Sequence, residues 1–348
     1  MTPTVCFNAV SKHYGTTAAV DAVSFEIEKA TLVTLLGPSG CGKTTTLRLI
    51  AGLEHATGGG IEIDGRDVTK LAASERDVSM VFQSYALFPH MNVLENTSYG
   101  LRASGLNRAR AEAAAREKLA LVGLAGFEMR LPSELSGGQQ QRVAVARAIV
   151  LEPKVLLFDE PLSNLDARLR RRVREEIRGL QQQLGLTVVY VTHDQEEALA
   201  VSDRIIVMKD GRIAQDGAPR ALYERPASRF IADFIGNANL AETMVTRLDA
   251  ERVEIVLAGA KLVLRDADAL MGPALLAIRP HAISWGDALA GTIAKAVYLG
   301  SHMEYEIAVP GLAEPLFAII HDVARPRPVG DQVRLGFDPT GLALVPRG

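Results

Sequence analysis

The chain has 348 residues, of which 48% are hydrophobic and 23% charged, and its formal net charge is −3. This length allows two domains with buried cores, and the near-neutral charge does not favour nucleic-acid binding. Two isolated cysteines, Cys6 and Cys41, give neither a disulfide framework nor a metal-ligand spacing, which predicts a reducing, cytosolic compartment. The N-terminal residues lack the pattern of a signal peptide, and no apolar stretch is long enough for a membrane-spanning helix.

Two strands are predicted near the N-terminus, because apolar and polar residues alternate through much of residues 5–28. The turn between them carries Tyr14, whose ring could stack on a flat base such as adenine. A tyrosine at a turn can equally be an amphipathic surface residue, so the pattern leaves both roles open.

The next segment, Gly37 to Thr44, matches G-x-x-x-x-G-K-[ST], the phosphate-binding loop of nucleotide triphosphatases. The residues before it are apolar and β-favouring, which predicts a buried strand, and those after it should open a helix. Gly40 and Gly42 let the backbone wrap closely round an anion, with its N–H groups pointing inward. We expect Lys43 to reach the outer phosphates and Thr44 to place its hydroxyl on Mg²⁺.

Two polar sites are predicted in the middle of the chain. Residues 78–82 read as a buried strand ending at Gln83, and large apolar residues follow up to His90, which indicates a docking surface or simply core. Residues 93–130 have a helical composition. The sequence Leu-Ser-Gly-Gly-Gln at 135–139 then opens another helix, and its start is a second anion site unless it is an ordinary helix beginning.

Two further predicted strands end in residues that suit catalysis. Residues 155–158 are apolar and lead into Asp159, suited to Mg²⁺, and Glu160, suited to activating water. Residues 187–192 form another buried strand that ends at His193, a candidate for contact with the terminal phosphate. Ligands of open α/β sheets bind at the carboxyl ends of strands, so these side chains are expected to share one site.

After residue 236 the pattern changes to short strands and turns, which predicts a small all-β barrel domain without a catalytic constellation. The predicted strands are 253–257, 261–264, 274–278, 291–298, 305–309, 316–320, 333–337 and 343–345.

Taken in order, these motifs resemble the nucleotide-binding subunit of ABC transporters over about residues 4–236, and the LSGGQ stretch is the most discriminating of them. The remainder, with Ala-Ile-Arg-Pro-His at 277–281 and Tyr-Leu-Gly at 298–300, is similar to the OB-like TOBE domain of importer ATPases. The resemblance implies an α/β P-loop NTPase domain over residues 1–236 and a smaller all-β OB-like domain over residues 237–348.

The resemblance also implies a homodimer in which two copies pair head to tail and sandwich two ATP molecules. The site residues it implies are Tyr14 for adenine; Gly37, Ser39, Gly40, Cys41, Gly42, Lys43, Thr44 and Thr45 for the phosphates; Thr44, Gln83 and Asp159 for Mg²⁺; Ser136, Gly138 and Gln139 for the γ-phosphate of the opposite ATP; and Asp166 for joining the two sites. Glu160 would be the catalytic base, with His193 as the switch residue and Gln83 beside them.

The partners implied are an integral-membrane permease docked near Gln83 to His90 and, indirectly, an external solute-binding protein. The implied location is the cytoplasmic face of the inner membrane. Residues 234–240 look more like the ferric-ion, polyamine and phosphonate importers than the sugar ones, so ferric ion is the expected solute; a polyamine, 2-aminoethylphosphonate or a sugar is the alternative. The alternative class is a soluble ABC ATPase of translation or DNA maintenance, which usually has tandem ATPase domains or an inserted coiled coil.

Overall fold

The computed structural model describes residues 3–163, 165–266, 269 and 271–346. The chain folds into two compact units, Met1–Pro219 and Arg220–Gly348. This division falls ahead of residue 236, because the helical segment after Pro219 packs with the strands of the second unit. The boundary of the ATPase domain at residue 236 stays a prediction. Within the described residues, no helix has the length and apolar character that crossing a membrane requires.

The first unit combines a mainly parallel sheet, an antiparallel sheet and several helices. Its strands are β1 (Val5–Tyr14), β2 (Thr17–Ile27), β3 (Leu32–Leu36), β4 (Gly58–Ile63), β5 (Arg66–Asp67), β6 (Val78–Val81), β7 (Val155–Asp159), β8 (Thr187–Val191), β9 (Arg204–Lys209) and β10 (Arg212–Gly217). Its helices are α1 (Lys43–Ala51), α2 (Val93–Ala103), α3 (Arg108–Leu121), α4 (Gly137–Ile149), α5 (Ala167–Leu184) and α6 (Gln195–Val201). The six-stranded sheet has the order β10-β9-β3-β8-β7-β6, and the four-stranded sheet has the order β2-β1-β4-β5.

The central strands β3, β7 and β8 are mainly apolar and buried along almost their whole length, because helices or another sheet cover both faces of a parallel sheet. Alternate residues supply two cores. Val33, Leu157 and Val189 pack in the core shared with α1 and the antiparallel sheet. Phe158 and Tyr190 pack in the core shared with α4 and α5. The predicted strands and the helix after the phosphate loop are therefore confirmed.

The predicted helical stretch over residues 93–130 is divided into two helices. The first, α2, ends at Ala103, and α3 begins at Arg108 with Asn107 as its N-cap. Gly105 between them has a φ of 90°, a conformation that a helix interior does not allow. The second helix ends at Leu121, so the prediction was too long at its C-terminal end.

The second unit is built from β-strands, as the sequence predicts, and two short helices that were not predicted precede them. It begins within α7 (Pro219–Glu224), followed by α8 (Arg229–Phe234). Its strands are β11 (Asn239–Arg247), β12 (Arg252–Leu257), β13 (Ala260–Arg265), β14 (Gly272–Ile278), β15 (Ile283–Tyr298), β16 (Met303–Ala308), β17 (Leu316–Ile320), β18 (Gln332–Phe337) and β19 (Leu342–Val345). Two antiparallel sheets, β13-β12-β11-β14-β19 and β17-β16-β15-β18, share one hydrophobic core.

A buried arginine organises the start of this second unit. Arg279 is 1% exposed and donates hydrogen bonds to the carbonyl oxygens of Ala232, at 2.9 Å, Ile235 and Tyr223. Its guanidinium carbon also lies 4.0 Å from the centre of the Tyr223 ring. Burial lowers the pKa of Arg279 from its ordinary value. The side chain therefore supplies the donors that the ends of α7 and α8 lack.

We expect Arg279→Met to destabilise the second unit by about 3 kcal/mol, because it leaves several buried carbonyl groups without donors. The single tryptophan of the chain, Trp285, lies in β15 and reports on this unit alone. Its fluorescence during urea unfolding should show a clearly lower midpoint. The matched control is Arg265→Met, at an exposed position of β13, which should change the free energy of unfolding by less than about 0.5 kcal/mol.

Candidate functional site

The predicted site residues follow strands whose carboxyl ends meet at one edge of the parallel sheet. Leu35 of β3 is in register with Val191 of β8, and Val191 is in register with Asp159 of β7. The backbone continues this alignment past the strand ends, because Glu160 N–H donates to the Val191 carbonyl at 3.1 Å. The phosphate loop, His193 and the two acidic residues are thus neighbours, as the sequence predicts.

The phosphate loop has a conformation that depends on glycine. Gly37, Gly40 and Gly42 have φ values of 154°, 78° and 104°. A Cβ added to Gly37 would lie 2.3 Å from the Met208 carbonyl oxygen, and one added to Gly42 would lie 2.3 Å from that of Ala19. Larger residues are excluded at these two positions by backbone atoms, so the neighbouring elements hold the loop closely.

The loop encloses a positive charge that fits the phosphates of a nucleotide. Lys43 is 6% exposed, and its Nζ donates to the carbonyl oxygens of Gly37, at 2.8 Å, and Pro38, at 2.9 Å. Among the residues that the structure describes, no carboxylate forms an ion pair with it. Two carbonyl groups do not neutralise an ammonium group, so this lysine is available to an anion.

The three predicted magnesium ligands offer oxygen atoms, which Mg²⁺ prefers. Thr44 and Asp159 are half-buried, and Gln83 is exposed. Burial raises the pKa of the Asp159 carboxyl group, and the nearby charge of Arg48 partly opposes this effect. A cation bound to this carboxylate would favour its charged form, so the donor set fits the predicted metal.

Glu160 and His193 are in direct contact. The imidazole Nδ1 of His193 lies 3.2 Å from Oε2 of Glu160. The Glu160 side chain is 24% exposed and that of His193 is 61% exposed. Glu160 has a φ of 44°, which is unusual for a residue other than glycine and turns the chain sharply at the end of β7. Both side chains therefore face an accessible space at the sheet edge.

The structure links Gln83 to this pair through a residue that sequence reasoning missed. The Nε2 atom of Gln83 donates to Oγ of Ser163 at 3.1 Å, and the Ser163 hydroxyl donates to the Glu160 carbonyl oxygen at 3.0 Å. Asn164, the residue after Ser163, lies outside the described residues. A polar residue three positions after the predicted catalytic base was the available signal.

The loop after Gln83 is held in place by side chains of other elements. Arg147 of α4 donates to the carbonyl oxygens of Tyr85, at 2.8 Å, and Ala86, at 2.7 Å. Asn96 of α2 bonds both the N–H and the carbonyl group of Phe88. Tyr85 is buried and belongs to the core, whereas Phe88 is only half-buried. Neither Arg147 nor Asn96 was predicted, because their partners are backbone groups, and those of Arg147 are also distant in sequence.

The remaining predicted residues belong to elements other than the phosphate loop and the strand ends described above. Ser136 is the N-cap of α4, and its N–H donates to Oε1 of Gln139 at 2.9 Å. Asp166 is the exposed N-cap of α5 and accepts from Leu169 N–H at 2.9 Å. Tyr14 is 48% exposed. Across the described ranges, no hydrogen bond or ion pair joins Ser136, Gly138, Gln139, Asp166 or Tyr14 to the phosphate loop.

The fold and the site define a phosphate-loop ATPase with two separate candidate nucleotide-contact regions. Residues 20–163 match the family model described as ABC transporter, and residues 276–345 match the TOBE domain model. Three similar proteins are each called Fe(3+) ions import ATP-binding protein FbpC. Those of Rhizobium etli and Brucella abortus are 60% and 59% identical over 98% of this chain and 97% of their own length. That of Pasteurella multocida is 50% identical over 85% of both chains. The chain therefore belongs to the ATP-binding proteins of ABC transporters.

Solved structures agree with this assignment. A dimeric ATP-binding cassette in a post-hydrolysis state, bound to ADP and Pi, is 32% identical and superimposes with a TM-score of 0.56 over 62% of this chain and 98% of its own. The protein cbiO1 from Clostridium perfringens, part of the ABC transporter complex cbiONQ, is 26% identical with a TM-score of 0.60. That match covers 64% of this chain and 91% of cbiO1. The first unit accordingly has the fold of an ABC ATPase.

Proposed function

We propose that this chain is the ATP-hydrolysing subunit of an ABC importer that takes up ferric ions. The observation that carries the hydrolytic part is the contact of Glu160 with His193 at the sheet edge that also holds the phosphate loop. The import of ferric ions is supported by the names of relatives that match this chain over nearly its whole length. A polyamine, 2-aminoethylphosphonate or a sugar remains the alternative solute.

In the proposed reaction Glu160 orients a water molecule and accepts its proton as the water attacks the terminal phosphate, whose bond to the bridging oxygen breaks so that ADP leaves. His193 can direct Nδ1 to the Glu160 carboxylate while its other ring nitrogen faces the phosphate, because its side chain is largely exposed. Lys43 and the loop N–H groups offset the charge of the phosphates. Phosphoryl transfer depends mainly on positioning and charge, and these residues supply both.

Thr44, Gln83 and Asp159 would hold Mg²⁺, and the other predicted phosphate ligands are Ser39, Cys41 and Thr45. When bound, Mg²⁺ supplies positive charge beside the phosphates. The bond from Gln83 to Ser163 links this group to the Glu160 turn. We infer that a movement of Gln83 changes the position of Glu160 through these two hydrogen bonds.

Ser136, Gly138, Gln139 and Asp166 would contact the ATP of a second copy in a head-to-tail homodimer. Their place on α4 and at the start of α5, elements other than the phosphate loop of their own chain, supports this inference. The start of α4 supports it too, because Ser136 is exposed and leads a helix of 13 residues, which offers positive potential to an anion. Tyr14 would stack on adenine.

The loop from Gln83 to His90 would receive the membrane permease, with the chain bound peripherally at the cytoplasmic face of the membrane. Support comes from two exposed aromatic residues, Phe82, which precedes the loop, and Tyr99, whose ring lies 4.8 Å from that of Phe88. Exposed aromatic side chains beside a rigid loop are typical of interaction surfaces.

Uptake of radioactive ferric ion in cells lacking this chain tests the proposal. Wild-type protein should restore uptake, Glu160→Gln should not, and Glu196→Gln, at an exposed position of α6, should restore it fully. Putrescine, 2-aminoethylphosphonate and maltose are assayed in parallel. If the cells lose uptake of one of these solutes and not of ferric ion, that solute replaces ferric ion in the proposal. Normal uptake of all four would contradict import of any of them by this chain.

A further inference from the structure

We propose that Glu197 is a positioning residue of the ATPase site, whose buried carboxylate holds the turn that presents His193 to Glu160. This inference rests on the proposed function, because Glu197 would act on hydrolysis only through His193. The inference is supported by four hydrogen bonds and by the burial of Glu197, Tyr190 and Thr192.

Glu197 is a buried carboxylate in the first turn of α6. Its side chain is 4% exposed, whereas the adjacent Glu196 is exposed. The helix start does not need this carboxylate, because the N-cap Asp194 already accepts from Glu197 N–H through Oδ1, at 3.1 Å. Burial raises the pKa of Glu197. Burying a carboxylate is unfavourable unless both of its oxygens accept hydrogen bonds, so the donors around Glu197 account for its burial.

Both oxygens of Glu197 accept hydrogen bonds from the end of β8 and the residue after it. Oε1 accepts from the hydroxyl of Tyr190, and Oε2 accepts from that of Thr192 at 2.7 Å. Tyr190 is 1% exposed and Thr192 is 2% exposed. The Thr192 oxygen also accepts from Asp194 N–H at 3.0 Å. Glu197 thus bonds the residue before His193 directly and the residue after it through Thr192.

These bonds form a closed ring around the backbone of His193. One side runs from the Glu197 carboxylate through Thr192 to Asp194 N–H, and the other returns from the Asp194 carboxylate to Glu197 N–H. The His193 side chain is 61% exposed, so packing restrains it little. The backbone turn therefore sets where its Nδ1 meets Glu160, and errors of about 1 Å in such groups are enough to slow a reaction severely.

The first test compares three variants of the full chain in steady-state ATP hydrolysis. Glu197→Ala should lower kcat by about 10- to 100-fold and change KM for ATP less than about threefold, because misplacement of a catalytic group slows the chemical step. In Glu197→Gln the amide oxygen still accepts from Thr192 and the amide N–H can donate to Tyr190, so kcat should stay within about threefold. Glu196→Ala, the neighbouring exposed glutamate, should match wild type.

The second test asks whether Glu197 acts through His193. The Glu197→Ala change is repeated in a His193→Ala background, and the slow residual turnover is followed by single-turnover hydrolysis of labelled ATP. The additional loss should be less than about twofold, since residues that act as one unit are not additive. If Glu197→Ala fails to fold, Thr192→Val replaces it, because valine keeps the shape and removes the linking hydroxyl.

Equal losses in both backgrounds, or full activity of a folded Glu197→Ala chain, would overturn the positioning role. If the wild type hydrolyses ATP and His193→Ala lowers the rate while Glu197→Ala does not, only this inference is overturned. A wild-type chain that binds ATP without hydrolysing it overturns the proposed function as well.

Discussion

Glu160→Gln is expected to lower kcat for ATP hydrolysis by about 100- to 10,000-fold, the range associated with loss of a general base. Glutamine has the same shape and its amide oxygen can still accept from His193, so the turn after β7 should be preserved. What is lost is the ability to take a proton from water. ATP affinity should change less than about threefold, because Glu160 is assigned to the attacking water and not to the phosphates.

Size-exclusion chromatography with ATP should then show a stable dimer of the Glu160→Gln chain, because bound ATP is no longer consumed. Phosphate release measures turnover, and Glu196→Gln is the control for loss of a negative charge nearby on α6. Steady hydrolysis by a folded Glu160→Gln chain would contradict the assignment of Glu160 as the base.

Lys43→Met should weaken ATP binding by about 10- to 100-fold, since a hydrogen bond to a charged group contributes ~1.5–3 kcal/mol. It should also lower kcat by about 100- to 1,000-fold, as removal of a preorganised donor at a charged transition state does. The ammonium group of Lys43 is enclosed by the loop and donates to two carbonyl oxygens and to the sulfur of Cys41, none of which carries a full negative charge in its neutral form. Its positive charge is therefore directed to an anion in that loop.

The nucleotide-free stability of Lys43→Met separates this effect from misfolding. Methionine keeps the apolar stem and removes a buried charge, so the free energy of unfolding should stay within about 1 kcal/mol of wild type or rise. Titration with a fluorescent ATP analogue measures affinity, and Lys29→Met, at an exposed position before β3, is the control. Unchanged affinity in a folded Lys43→Met chain would place the phosphates elsewhere.

The candidate site was predicted from sequence because each part of it is a local pattern at the end of a strand. The segment Gly37 to Thr44, the pair Asp159 and Glu160, and His193 each follow an apolar run of strand length. Since carboxyl ends of parallel strands share an edge, the pattern predicts that these residues meet, and the register of β3, β8 and β7 confirms it. Most strands of the second unit were predicted on the same basis, from apolar runs between turns.

One strand escaped prediction because its inward residues are small or polar. The buried positions of β11 include Ala241, Thr243 and Val245, and its exposed face includes Met244, so the usual alternation of hydrophobicity is blurred. Only its pairing with both β12 and β14 makes it a central strand. The division of residues 93–130 into α2 and α3 depends on Gly105, whose positive φ is a property of the folded turn.

The sequence by itself determined the class of this protein and its reaction, and it predicts the side chains that would face the phosphates, because those residue types are required by the chemistry wherever the chain folds. Tertiary structure alone decided how these side chains are held. Nothing local marks Glu197 as buried while Glu196 is exposed, or Arg279 as the donor to carbonyl groups some 40 to 60 positions away. Burial and hydrogen-bond partners depend on which elements pack together, and that is a property of strand order and helix placement rather than of any short segment.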